Sequence, residues 1–232
     1  MTDVCEKTVI EKIATIENGF SGKFGIPRQS GLCEDVPSRI IFEPEYRIAE
    51  AVRGLEDFSH IWIIWQFSEN TDAKWSPTVR PPRLGGNQRM GVFATRSPFR
   101  PNSLGLSCVK LDKITFDENL GPVLQVSGAD LMSGTPIFDI KPYIPYADSI
   151  ENASSGFVGQ TEKRQLSVVH GEWENTIKKP VCDAIRQIIS QDPRPAYQDD
   201  AQRVYKFEYA GYNISFKVED SKALIIDIKE KK

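Results

Sequence analysis

Histidine is almost missing from this chain: its 232 residues include two, His60 and His170, far apart in sequence. Neither has a cysteine close by, so a zinc site or a His-centred triad lacks its usual ligands and base. Cysteine is scarce as well. Cys5, Cys33, Cys108 and Cys182 are scattered with no CxxC pair, which reads as free thiols in a reducing cytoplasm. No apolar run approaches the roughly 18 residues of a membrane span. The longest, Ile61–Ile64 with Trp65, reads as a buried strand. The N-terminal MTDVCEKTVIEK is charged from residue 3 and has no apolar h-region, so no secretory signal is expected. Two cofactor fingerprints are absent too. There is no GxxxxGK[ST], and no GxGxxG follows a strand, which disfavours an ordinary Rossmann dinucleotide or methyl-donor site.

What remains is an ordinary globular composition, 40% hydrophobic and 26% charged, enough to build one large or two small cores. The first two-thirds read as β-rich. Strands are expected over Lys7–Ile16, Arg39–Phe42, Phe58–Phe67, Gly91–Thr95, Ser103–Lys113, Pro122–Val126 and Thr135–Ile140. Phe58–Phe67 is apolar enough to be buried on both faces, and Pro44–Val52 can form one or two helical turns. Short strands punctuated by Gly and Pro, with no long helices between them, point to a barrel or sandwich. Around Asn152–Gly159 the composition turns small and polar, a domain seam. Beyond it, residues 153–232 read as a small α+β domain. It has a strand at Leu166–His170 and helical spacing within Glu172–Gln191 that Pro180 kinks or delays. A three-stranded meander over Arg203–Tyr209, Asn213–Val218 and Ala223–Ile228 completes it.

Charge is distributed unevenly. The net formal charge is −3, yet no acidic residue occurs between Asp72 and Asp112. That interval carries Lys74, Arg80, Arg83, Arg89, Arg96, Arg100 and Lys110, so the rest of the chain sums to −10. Such a concentration is the footprint of a polyanion partner, unless the arginines pair with acids brought from elsewhere in the fold. Pro77, Pro81, Pro82, Pro98 and Pro101 stiffen the same interval. Arg96-Ser-Pro-Phe-Arg-Pro-Asn102 would leave a sheet rim as a rigid turn. Three further segments are polar and rigid: Pro27-Arg28-Gln29-Ser30-Gly31, Asp139-Ile-Lys141-Pro-Tyr143 and Asp192-Pro-Arg194-Pro-Ala-Tyr197. Asp139 and Lys141 stand two apart on a strand and so share a face, as an ion pair or as working groups.

Together these segments resemble a known family. FGIPRQSG (24–31), AVRGLEDFSHIWIIWQF (51–67), WSPTVRPPRLGGNQRMGVFATRSPFRPNSLGLSCVKL (75–111), SGTPIFDIKPYIPYADS (133–149) and QDPRPAY (191–197) are similar to the TrmO/TsaA-like methyltransferases. The resemblance covers nearly the whole chain, including the C-terminal motif of the bacterial long form. It implies a mainly β protein: a non-Rossmann β-barrel methyltransferase domain over residues 1–152 and the small domain after it. It also implies S-adenosylmethionine as donor, a tRNA partner, no metal, and a cytoplasmic homodimer. The expected reaction is N-methylation of threonylcarbamoyladenosine beside the anticodon.

Residue by residue, the resemblance implies that Pro27, Arg28 and Gln29 line the donor site. Ser68 and Glu69 stand where the family commonly has His-Gln. Arg96 matches the family's arginine turn and Leu106 the apolar strand behind it. Asp130, Leu131, Met132, Ser133, Gly134 and Thr135 match its DL-x-x-GT turn. A second departure is Asn18-Gly19-Phe20, where many members carry Ser-Pro-Tyr. For the acceptor side, Asp139 and Tyr143 are candidate proton acceptors, with Lys141 orienting the carboxylate or meeting the threonyl carboxylate. Arg80, Arg83, Arg89, Arg100 and Asn102 would contact tRNA, and Phe99 and Tyr197 could stack on a splayed base. Asp192 and Arg194 are either substrate contacts across a seam or parts of a rigid connector. Two other functions are weighed: a non-catalytic RNA-binding module, and a methyltransferase with a different acceptor.

Overall fold

A computed structural model describes residues 8–70, 74–160, 165–194 and 200–231. Its strands in chain order are β1 (Ala14–Asn18), β2 (Pro37–Phe42), β3 (His60–Gln66), β4 (Thr78–Val79), β5 (Met90–Gly91), β6 (Leu104–Asp117), β7 (Gly121–Ser127), β8 (Pro136–Pro142), β9 (Ser167–Val168), β10 (Tyr205–Tyr209), β11 (Tyr212–Glu219) and β12 (Lys222–Glu230). The helices are α1 (Pro145–Asp148) and α2 (Lys179–Ser190). Six strands close into a barrel in the order β1-β2-β7-β6-β3-β8. The mainly β class and the barrel expected from the sequence are therefore present. Its core is filled by inward side chains such as Ile16, Ile40, Ile61, Ile63, Leu124 and Ile137, all fully buried.

β3 differs from the expectation of burial on both faces. Its exposure alternates: Ile61, Ile63 and Trp65 point into the barrel, while Trp62, Ile64 and Gln66 are half-buried on the outside. Both faces are apolar because the outer one covers a site, described below. Near the N-terminus, extended pairing begins only at Ala14, later than the β-branched run suggests. Gly91–Thr95 is mostly a 3-10 turn, Val92–Ala94, preceded by the two-residue ribbon of β4 and β5. Pro44–Tyr46 and Ala49–Val52 form the expected helical turns.

The second core lies between α2 and the sheet β10-β11-β12-β9. Pro180 sits in the first turn of α2, where a missing N–H costs no helical hydrogen bond, so it starts the helix and does not kink it. Ala184, Ile185, Ile188 and Ile189 form the buried stripe.

This core is not made only of C-terminal residues. Phe20, Cys33 and Val36, from the loop between β1 and β2, are fully buried in it. The loop comes very close: a Cβ on Gly19 would lie 2.6 Å from the Tyr209 ring, and one on Gly25 2.8 Å from Phe207. Gly25 also holds a φ of +99°, so glycine is required there twice over. Ala210 N–H donates to Gly19 O at 2.9 Å, and Gln187 exchanges hydrogen bonds with the backbone and side chain of Asp35. The segment carrying Pro27–Gln29 therefore rests on the C-terminal module.

Candidate active site

Five segments distant in sequence converge on one cavity of about 640 Å³. They are the 23–29 loop, β3 with the turn after it, the 95–100 turn, the start of β6, and the 130–135 turn. The apolar wall follows from strand register. Ile64 pairs with Leu106 and Trp62 with Cys108, and directly paired residues project to one side. Trp62, Ile64 and Leu106 thus face the cavity together, Leu106 being 55% exposed. Trp65 lies opposite Gly105, and a Cβ at that position would run into the indole. Its ring packs 4.4 Å from Phe67, and its Nε1–H donates to Ser107 Oγ at 2.9 Å. The buried Ser107 hydroxyl in turn donates to the Asp130 carboxylate.

The acidity of the Asp130 carboxyl in the cavity is perturbed. Burial raises its pKa above the ordinary 3.8, opposed by the Ser107 hydroxyl and by the positive charge of Arg96. Across the cavity Arg96 donates to Gln29, joining the arginine turn to the 27–29 loop. Arg100 donates to the carbonyls of Thr95 at 3.1 Å and Ser97 at 3.3 Å, which ties the turn to itself. Ser68 and Glu69 form a short 3-10 turn, and Lys23 reaches the Glu69 carbonyl at 3.4 Å and its carboxylate at 4.0 Å.

Most of the donor residues implied by the resemblance meet here. Pro27, Arg28, Gln29, Ser68, Glu69, Arg96, Leu106, Asp130, Leu131, Met132 and Thr135 all line the cavity. Ser133 and Gly134 do not. Ser133 N–H donates to Phe20 O at 2.9 Å and its Oγ accepts from Asn18 N–H at 3.3 Å, while Gly134 N–H donates to Ile16 O at 2.8 Å. These two knit the 130–135 turn to β1. Arg28, besides lining the cavity, donates from Nη2 to the carbonyls of Asp192 at 3.0 Å and Arg194 at 2.7 Å.

Asp139, Lys141 and Tyr143 flank the cavity without lining it. Asp139 pairs with Ile64 and Lys141 with Trp62 in the β8–β3 ladder, so both sit beside the apolar wall on the same outer face. Their charged groups are 3.0 Å apart and solvent-accessible. The Tyr143 ring lies 5.8 Å from that of Trp62.

Of the tRNA candidates, Arg100 reaches the cavity, while Arg80, Arg89, Phe99 and Asn102 are exposed outside it. Among the described residues, Lys74, Arg80, Arg89, Arg96 and Arg100 make no ion pair within 4 Å; Lys110 is paired with Asp112 at 3.2 Å. Among the described residues, no acid from elsewhere in the fold forms an ion pair with this cluster; Lys110 meets only its sequence neighbour Asp112. Arg83 has no described side chain, and Tyr197 lies outside the described residues. Asp192 and Arg194 are buried, 3% and 5% exposed, and bind each other through a two-point fork of 2.7 and 2.9 Å. That geometry fits the rigid connector.

The site residues missed from sequence include Trp62, Ile64, Trp65, Phe67 and Gly105 in the wall and Ser107 behind it. The only signal for the first two was a strand too apolar on both faces for a simple barrel wall.

Comparison with known proteins matches this architecture. The family model for the tRNA-methyltransferase O N-terminal domain matches residues 15–149, and that for the TrmO C-terminal domain matches 163–231. A tRNA (adenine(37)-N6)-methyltransferase of Escherichia coli is 40% identical over 91% of this chain and 93% of its own. A putative S-adenosylmethionine-dependent methyltransferase, RcsF, from Pseudomonas aeruginosa is 39% identical over 82% of this chain and 83% of its own. The crystal structure of TrmO from Pseudomonas aeruginosa superposes with a TM-score of 0.79 at 29% identity, covering 98% of this chain and 99% of that one. With both family models matched in order along the chain, it belongs to the TrmO family of tRNA methyltransferases.

Proposed function

We propose that the cavity binds S-adenosylmethionine and that the chain methylates the exocyclic nitrogen of threonylcarbamoyladenosine, next to the anticodon of tRNA. The observation that carries this reading is convergence: eleven residues drawn from five separated segments line one cavity. Its volume of about 640 Å³ falls in the range of small-molecule sites. The residues present fit the donor. Trp62, Ile64 and Leu106 offer an apolar wall for the adenine and thioether carbons, and the Asp130 carboxylate a counter-charge for a cationic ligand. When bound, the donor supplies an electrophilic methyl group.

The acceptor nitrogen shares its lone pair with the purine ring and a carbonyl, so its proton must leave as the new bond forms. Asp139, held 3.0 Å from Lys141 beside the wall, is the proposed acceptor of that proton; Tyr143, against Trp62, is the second candidate. Arg80, Arg89 and Arg100 contact anticodon-loop phosphates, and Phe99, 43% exposed, gives a flipped base a surface to stack on. In this division residues 1–152 carry the donor cavity and 153–232 the supporting module. We also infer a homodimer, supported by the exposed apolar side chains of Phe93, Tyr146 and Ile150, and a cytoplasmic site of action, where tRNA is found.

The test is methyl transfer from labelled S-adenosylmethionine to two tRNA pools, one carrying threonylcarbamoyladenosine and one from cells unable to make it. Label in the first pool alone is the expected result. Donor binding without label in either pool would point to another acceptor. Salt-sensitive tRNA binding without donor binding would leave an RNA-binding module.

A further inference from the structure

Arg28 belongs to the donor cavity, yet its guanidinium is spent on the other module. One nitrogen, Nη2, donates both of its hydrogens: to Asp192 O at 3.0 Å and to Arg194 O at 2.7 Å. Two carbonyls two residues apart can converge on one nitrogen only if the backbone between them is held in a particular turn. Three features hold it. Asp192 takes a left-handed conformation, φ +47°, directly after α2, and its N–H donates to Ile189 O at 3.0 Å. Its carboxylate then grips the Arg194 guanidinium at two points, with both side chains buried. The Arg194 guanidinium also lies 5.8 Å from the centre of the Tyr205 ring.

Burying a charge pair this deeply adds little net stability, because desolvation offsets the attraction. What it does is fix geometry, and the geometry it fixes is the pair of carbonyls presented to Arg28. On the cavity side, Arg28 is followed by Gln29, which accepts from Arg96 across the cavity.

We propose that the Asp192–Arg194 turn is a positioning element of the donor site: it locks Arg28, and through Arg28 the 27–29 loop, in the form that receives S-adenosylmethionine. This rests on the donor reading of the cavity given above. Asp192 and Arg194 act through Arg28 and touch neither donor nor tRNA.

The test uses the full-length protein with Arg28→Met, which keeps the aliphatic stem and removes the donors, and Arg194→Lys, which keeps the charge and removes the fork. Donor affinity is measured by calorimetry, and KM for tRNA from initial rates. Each single variant is expected to weaken donor binding about tenfold, the effect of losing a charge-assisted hydrogen bond. The double variant should be no weaker than Arg28→Met alone, with KM for tRNA unmoved. Losses that multiply in the double variant, or a changed KM for tRNA with donor affinity intact, overturn the proposal. So does a folded Arg194→Lys protein that binds donor like the parent.

Amide exchange of segment 26–31 in Arg28→Met serves if Arg194→Lys does not fold, and needs no ligand. Faster exchange than in the parent supports the lock, and unchanged protection refutes it. A parent protein that does not bind donor would fail the functional reading while leaving this exchange measurement decisive.

Discussion

Asp130 and Gly105 show how much of the site depends on single atoms. The Asp130 carboxyl titrates above 3.8 in the folded chain because burial disfavours its charge. A carboxyl with a raised folded pKa binds more protons folded than unfolded, so its contribution to stability is lost as pH rises from 3.8 through the raised value. Asp130→Asn keeps an acceptor for Ser107 and removes the charge. The variant is expected to gain thermal stability relative to the parent as pH rises from about 3.8 through the raised value and the parent's carboxyl ionises. The opposite trend in paired melting curves would mean that Asp130 is held as a favourably paired anion. At Gly105 a single methyl collides with the Trp65 indole, which is itself tied to Ser107. Gly105→Ala should cost about 1–3 kcal/mol, as overpacking does, and weaken donor binding because Trp65 lines the cavity. Thermal unfolding and donor titration on the same sample read both effects. Motif residues such as Pro27–Gln29 and Arg96 were legible in the sequence. Gly105 and Ser107 were not, because their importance lies in cross-strand partners and strand register is invisible without the partner.

The element that connects sequence most closely to function is the loop between β1 and β2. Its Phe20, Cys33 and Val36 are buried in the C-terminal core, and its Pro27, Arg28 and Gln29 line the cavity. Burial, with Asp35 nearby, pushes the Cys33 thiol up to about 12, so it should not react in the native protein. Labelling of Cys33 therefore reports the loop leaving its seat. Gly25→Ala places a methyl 2.8 Å from Phe207 at a φ of +99°. A left-handed non-glycine costs about 1–2 kcal/mol, enough to raise the labelling rate roughly tenfold. Mass spectrometry of the labelled peptide locates the thiol, and an unchanged rate would show that the loop does not dock through Phe207. The glycines are plain in the sequence and its composition suggests a seam near residue 152, but neither shows that this loop enters the C-terminal core. Composition marks where a chain changes character, and it is silent on which core an apolar side chain enters. Strand β3 misled for a related reason: an apolar outer face looks the same whether it meets another layer or a ligand.

At the scale of the whole molecule, a chain of net charge −3 carries an acid-free interval rich in arginine. The interval from Asp72 to Asp112 could be read from sequence alone; that Arg80, Arg89, Arg96 and Arg100 make no ion pair among the described residues required the fold. Among the described residues Arg80 and Arg89 are exposed and form no ion pair, and Arg89 spends one hydrogen bond on Thr78 Oγ1 at 2.9 Å. Each is free to meet a phosphate, and each phosphate met releases a counterion, so tRNA affinity should fall steeply with salt. Replacing Arg80 or Arg89 by alanine is expected to weaken tRNA binding and flatten the plot of log affinity against log salt by about 0.7 per contact on single-stranded RNA. Donor affinity provides the internal comparison. On the proposed reading the donor lies against an apolar wall in the cavity, so salt should hardly change its affinity, and neither substitution should alter it. A slope that is unchanged in both variants would place the RNA on another face and leave the arginine surface without a role.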